Sequence, residues 1–177
     1  YAKMELIAKK LNLKEGMSVL EIGCGWGVMA RHLAEKYKVH VTGVTISEEQ
    51  IKYYENNGKH PNVSIQYMDY RNVTGTFDRI FSIGMFEHVG KINYKTYYDK
   101  CYSLLKDDGI MLLHTIGASR GKSHDDFIMT YIFPGVEMPE LSDLTKNYTD
   151  QWHLEDFQNF GQSYAKTLRA WKDNIGD

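Results

Sequence analysis

The chain has 177 residues, 42% of them apolar and 25% charged, with a formal net charge of −2. That length suits one domain with a real core, and the near-neutral balance gives no electrostatic case for nucleic acid as the main partner. Two cysteines, Cys24 and Cys101, with no CxxC pair, exclude a disulfide framework and a cysteine zinc site, predict no bound metal, and point to a reducing compartment.

In chain order, Met4, Ile7, Ala8 and Leu11 fall at helical spacing, and the turn Lys14-Glu15-Gly16 follows. "MSVLEIG" (17–23) reads as a short buried strand, "WGVMARHLAEKY" (26–37) as a helix and "VHVTGVTI" (39–46) as a β-branched strand. Ser47 with Gln50 three residues on has the capping-box pattern, flanked by Ile46 and Ile51, and predicts a helix to about Asn57. Strands follow at 62–69 and 77–84, then a helix over about 93–105 and a strand at 109–117. This alternation predicts an α/β fold with a parallel sheet covered by helices on both faces. Beyond it come a polar loop, "ASRGKSHDD", and short helical pieces holding "YIFPG" and "NFGQSYAKTLRAW". No apolar run has the length of a membrane span, and no signal-peptide pattern precedes the first helix. Because Tyr1 already lies inside a helical pattern, the chain reads as a piece of something longer.

Two places carry chemistry. "LEIGCGWG" (20–27) is a strand, a glycine-rich turn and a helix, in which Gly23, Gly25 and Gly27 let backbone approach a ligand closely. Its spacing is G-x-G-x-G, with Val28 where a dinucleotide fingerprint wants glycine, and no Walker lysine follows. The second place is "GMFEHVG" (84–90), where Glu87 and His88 follow a buried strand. Glu87 reads either as a helix-entry residue or as a carboxylate at the open edge of a parallel sheet, where α/β folds bind ligands. His114 in "MLLHTIG" reads on its own as a core histidine, and Tyr164 as a packed tyrosine.

"LEIGCGWG" resembles the glycine loop of class I S-adenosylmethionine-dependent methyltransferases, which have a Rossmann-like fold. That resemblance implies that Glu21 supports the loop and the methionine amino end of the cofactor, with the glycines beneath the sulfonium. Many members end the second strand on an acid that takes the ribose hydroxyls; here "GVTIS" puts Thr45 and Ile46 there. The departure points to the cyclopropane fatty acid synthases and their mycolic acid relatives. Their pattern is resembled through "VLEIGCGWG", "VTGVTISEEQ", "QYMDYRNV", "FDRIFSIGMFEHVG", "GIMLLHTIG", "YIFPG" and "NFGQSYAKTL".

The resemblance implies that Thr45, Ile46 and Gln50 lie by the ribose and adenine, and Asp69, Tyr70 and Arg71 along the adenine side. It implies a bicarbonate held by Glu87, His114, Tyr164 and the backbone around Ile83 and Gly84. His88 stands behind Glu87. Met85, Phe86, Tyr131, Phe133, Trp152, Phe160 and Trp171 read mostly as core, some of them lining an acyl channel. The expected partners are unsaturated acyl chains of phospholipids, reached by a cytoplasmic protein touching the membrane transiently. Residues 1–118 would be the cofactor-binding core and 119–177 a helical acyl-binding part of one domain. The family's cysteine ahead of the first helix, and its strands beyond position 177, are not in this chain, so five strands are expected where the full fold has seven. A small-molecule N-methyltransferase and a cofactor-binding fragment without turnover remain alternatives.

Overall fold

The computed structural model describes residues 1–57, 59–118, 126–132, 134–148 and 151–176. Five strands form one parallel sheet in the order β3-β2-β1-β4-β5: β1 Ser18–Ile22, β2 His40–Thr45, β3 Val63–Tyr67, β4 Phe77–Ile83 and β5 Leu105–His114. The chain runs outward from β1 through β2 to β3, then returns to the other side of β1 for β4 and β5. The order therefore reverses between β1 and β4, and the strand ends there open into the crevice where such sheets take ligands. The five-strand Rossmann-like expectation agrees with this arrangement.

Alternation along the strands builds two cores. Val19, Val41 and Phe81 face α1 (Ala2–Lys10), α2 (Val28–Tyr37) and Tyr54 of α3 (Glu48–Asn56). Leu20, Ile22 and Ile80 face the opposite layer, built on α4 (Tyr94–Leu104). Tyr94, Tyr97 and Cys101 on that helix are wholly buried, and the Phe86 ring stacks on Tyr94 at 4.1 Å.

The element bounds differ from expectation for local reasons. α2 begins at Val28, not at position 26, because Gly27 has φ +76° and cannot be the helix's first turn. β5 starts directly at Leu105 and ends at His114. Residues 115–117 leave the ladder because their neighbourhood pairs sideways: the Ile116 N–H goes to Glu87 and the Ala118 N–H to the Pro139 carbonyl.

The capping box at Ser47 is only half formed. Ser47 accepts the Gln50 N–H, but the Gln50 side chain turns to Thr45 instead of to the Ser47 amide.

Beyond β5 the chain changes character. One π-turn spans Ile128–Ile132, α5 spans Leu141–Asn147 and α6 spans Gly161–Ile175, and α6 buries no residue. Of "YIFPG", Phe133 lies outside the described residues, as does most of the polar loop ahead of it.

Candidate active site

The glycine loop follows β1 and gives its three glycines different work. A Cβ on Gly23 would meet the Met85 side chain at 2.7 Å, so this glycine lets the loop pack against the turn after β4. Gly27 caps α2 in the left-handed region, and having no side chain it leaves the first-turn amides of α2 without a cap. Glu21, on β1, accepts from one of them, the Ala30 N–H. Gly25, at φ +53°, has no atom within 4 Å on its Cβ side. It is the glycine with room for a ligand.

Burial pushes the Glu21 carboxyl well above the usual carboxylate range, and its Oε2 has no partner. Burial and the nearby Glu21 push the Cys24 thiol up to about 12, so Cys24 is inert packing.

The residues expected on the adenosine side gather at the ends of β2 and β3. Thr45 is buried, whereas Ile46 beside it is 73% exposed. Asp69 accepts from the Arg71 N–H and pairs with the Arg71 guanidinium at 2.6 to 2.9 Å, which holds its carboxyl below the usual range. Tyr70 is half-buried, edge-on to Tyr97. These groups share the C-terminal edge with the glycine loop.

Glu87 sits in a short 3₁₀ turn, Phe86–His88, just past β4, and only 5% of it is exposed. Phe86, anchored among Tyr94, Tyr97 and Tyr98, drives that turn into the core. One oxygen of Glu87 accepts the Ile116 N–H at 2.6 Å; the other is buried with no partner. His114 ends β5 opposite Ile83 of β4, and its Nδ1 is likewise buried and unpartnered. Burial first, then the Lys3 cation, holds this imidazole below its ordinary pKa, against a smaller pull from Glu87. At neutral pH it is uncharged, with one ring nitrogen to donate and one to accept.

The structure corrects two expectations about this site. The Gly84 N–H is already donated to the His114 carbonyl at 2.9 Å, so it is not available to an anion. Tyr164 is not brought to Glu87 and His114: it is 46% exposed on α6 with its ring against Trp171 of the same helix. The segment before α6 is tied by an ion pair between Asp156 and Lys10. Lys10 precedes Leu11, whose carbonyl is bonded by Arg79 near the opposite edge of the sheet. Of the apolar set, Phe86 is core and Trp152 packs on Tyr98 and Tyr102, while Tyr131, Phe160 and Trp171 are exposed. A surface hollow formed by Asn159 to Ser163 contains neither Glu87 nor His114 and has no titratable group to do chemistry.

Two contributors escaped the sequence reading. Glu137 donates its N–H to the Glu87 carbonyl and accepts the Lys91 N–H, strapping the turn that carries Glu87 in place. The signal was its place two residues past the glycine of "YIFPG". The Ile116 N–H that fixes Glu87 belongs to a backbone no composition could single out.

The whole chain, residues 1–177, matches the family described as mycolic acid cyclopropane synthetase. It belongs to the mycolic acid cyclopropane synthetase family. Among its relatives is the cyclopropane-fatty-acyl-phospholipid synthase of Escherichia coli (strain K12), 46% identical over 98% of this chain and 46% of that protein. Cyclopropane mycolic acid synthase 2 of Mycobacterium bovis is 34% identical over 99% of this chain and 67% of its own length. A crystal structure of a mycolic acid cyclopropane synthase complexed with SAH and CTAB superposes with a TM-score of 0.87 at 33% identity, covering 96% of this chain and 66% of that one. The chain spans about half the length of the E. coli relative it matches. This family member accordingly has the Rossmann-like methyltransferase fold, and among the described residues no helix is long and apolar enough to cross a membrane.

Proposed function

We propose that this chain is the cofactor-binding and catalytic part of an enzyme that adds a methylene from S-adenosylmethionine across the double bond of an unsaturated phospholipid acyl chain. The observation that carries the reading is the pair of buried, unpartnered atoms, Glu87 Oε2 and His114 Nδ1, on the same strand ends as the open glycine loop. Buried polar atoms are ordinarily paired, so two orphans together mark a site built for something else.

The chemistry suits that pair. An alkene attacks a sulfonium methyl with its own π electrons, so no base is needed at the nucleophile. The transfer leaves a cation on the neighbouring carbon and neutral sulfur on the donor. Loss of a proton from the new methyl lets its C–H electron pair close onto the cationic carbon, giving the three-membered ring. The protein must therefore supply a proton acceptor while keeping water from adding to the cation.

The orphaned pair fits the bicarbonate that the resemblance implies, which when bound would supply an oxygen base for that proton. Glu87 is itself an anion and repels another unless it accepts that ion's O–H. Its unpartnered Oε2 would take this role, with Oε1 held by the Ile116 N–H. Neutral His114 would donate to an oxygen and also leave no fixed positive charge to repel the developing cation. Phe86, Tyr94 and Tyr97 behind the turn exclude water from that side.

Toward the cofactor, Gly25 makes room, Glu21 answers the methionine ammonium, and Ile46, Gln50 and the Asp69–Arg71 turn meet the adenosine, with Thr45 buried behind Gln50. Substrate would be met transiently at a phospholipid surface by exposed apolar groups such as Ile116, Phe127 and Ile132. Weak, reversible flotation with neutral phospholipid vesicles is the expected result; tight binding to anionic vesicles alone would contradict this contact.

The deciding experiment is turnover of the whole protein, wild type against Glu87→Gln, on unsaturated phospholipid with labelled S-adenosylmethionine, with and without added bicarbonate. Losing one preorganised contact costs about 100-fold in rate, or about 3 kcal/mol. Cofactor affinity should stay constant, because Glu87 is outside that contact set. Equal rates in the two proteins would return Glu87 to a structural role.

A further inference from the structure

We propose that Thr45 is a positioning residue that fixes the flip of the Gln50 carboxamide, so that its NH₂ group, not its oxygen, is presented to the adenosyl part of the cofactor. This rests on the reading that the chain binds S-adenosylmethionine at the ends of β1 and β2.

The argument is a count of protons at one buried hydroxyl. Thr45 closes β2 and is 7% exposed, so water does not serve its Oγ1 freely. The Ser47 N–H lies 3.1 Å from that oxygen, and a backbone N–H can only donate. One lone pair of Oγ1 is therefore taken, and its own proton must go elsewhere. The neighbour in reach is the Gln50 side chain at 2.6 Å, whose oxygen accepts it. With the amide reversed, the NH₂ group would donate to Oγ1 as well. The Thr45 proton would then be left without an acceptor at a buried position, which is the costly arrangement. One flip gives the Thr45 proton an acceptor; the other leaves it without one.

The consequence is a site of unusual polarity. Gln50 is also tied through its own N–H to Ser47 Oγ, so the first turn of α3 moves with Thr45. The Gln50 amide nitrogen has no hydrogen-bond partner among the described residues, while its oxygen is taken by Thr45. A carboxylate at the end of this strand would accept from the two ribose hydroxyls. Gln50 instead donates, and so seeks an acceptor: a ribose oxygen whose proton is turned elsewhere, or a purine ring nitrogen.

The test is calorimetric titration of the chain with S-adenosylhomocysteine, which needs no turnover. Thr45→Val keeps the shape and suits a strand, but removes the proton donor. It should weaken binding about tenfold, and Thr45→Ser should restore it. Gln50→Ala should weaken binding by a similar factor. Thr45→Val placed on top of it should then add almost nothing, because the threonine acts only through the glutamine. Far-UV circular dichroism checks the fold, and Thr45→Ala carries the same expectation should the valine protein be misfolded. If the wild type binds and Thr45→Val or Thr45→Ala binds equally well, the positioning role is overturned and the cofactor reading stands. Independent, additive losses at Thr45 and Gln50 overturn it too. A wild-type chain that takes no S-adenosylhomocysteine overturns the cofactor reading, and the proposal with it.

Discussion

The sheet with its covering helices and the segment from α5 to the end of α6 are made of similar residues and end in opposite states. α4 sets Tyr94, Tyr97, Cys101 and Leu104 into the core, every one of them under 4% exposed. α6 carries Tyr164, Leu168, Trp171 and Ile175 at the same helical spacing, and they are 46%, 52%, 52% and 84% exposed. Amphipathic pattern states that a face wants cover; it does not supply the cover. α4 has the sheet beneath it. Among the described residues α6 has no such cover.

The largest effect that should separate the two regions is in stability. Phe86→Ala removes a ring packed against Tyr94, Tyr97 and Tyr98 and should cost about 3 to 5 kcal/mol in denaturant unfolding. Leu168→Ala on α6 should stay within about 0.5 kcal/mol in this chain, the range of ordinary surface changes. Comparable losses at the two sites would mean that α6 is packed after all.

A second prediction concerns binding. Gly25→Val adds a β-branched side chain at φ +53° on the side that has no atom within 4 Å. S-adenosylhomocysteine affinity should fall at least about 100-fold, roughly 3 kcal/mol, with far-UV circular dichroism nearly unchanged. Tyr164→Phe in the same titration should leave affinity alone.

Next in size is a pH effect on the α1–α2 seam. Glu5 accepts from Lys36, Tyr37 and His32 at 2.6, 2.9 and 2.8 Å, and the Lys36 bond first holds its carboxyl down to about 2. A lowered folded pKa means that this contribution is present above the unfolded value near 4.5 and lost as pH falls toward 2. Glu5→Gln should therefore be less stable than wild type at neutral pH, and the gap should close near the acid end. A gap that persists there would assign the effect to shape instead of charge.

The smallest expected effect has the opposite sign. Glu21 is buried with its folded pKa raised, so its ionisation works against the fold once pH passes the unfolded value. Glu21→Gln should raise the melting temperature slightly at pH 8 and not below about pH 4, while weakening cofactor binding. Unaltered cofactor binding would remove Glu21 from the site.

Much of this was legible because it is local. A strand, three glycines and a helix within eight residues leave few backbones to choose from, and Glu87 follows just past β4 while His114 ends β5. Tyr164 was not legible, because its place depends on how a long tail returns across the molecule, and the Asp156–Lys10 contact that holds the tail joins residues 146 apart. Arg79 was missed for a different reason. It points inward from β4 and is held by the carbonyls of Leu11, Asp78 and Asp108, none of which a sequence pattern marks. The half-formed capping box shows the same limit: the motif at Ser47 was legible, but not the competing hydroxyl two residues before it.

The rim around Glu87 also has a clock. The amide protons of Gly84, Ile116, Ala118 and Glu137 are all donated there, to the His114 carbonyl, the Glu87 carboxylate, the Pro139 carbonyl and the Glu87 carbonyl. No single one can be released to solvent without loosening the turn after β4, the end of β5 or the strap at Glu137. Their hydrogen exchange should slow together and share one opening free energy, distinct from that of the sheet. Four neighbouring amides exchanging as a unit would make the moment at which the site opens directly observable.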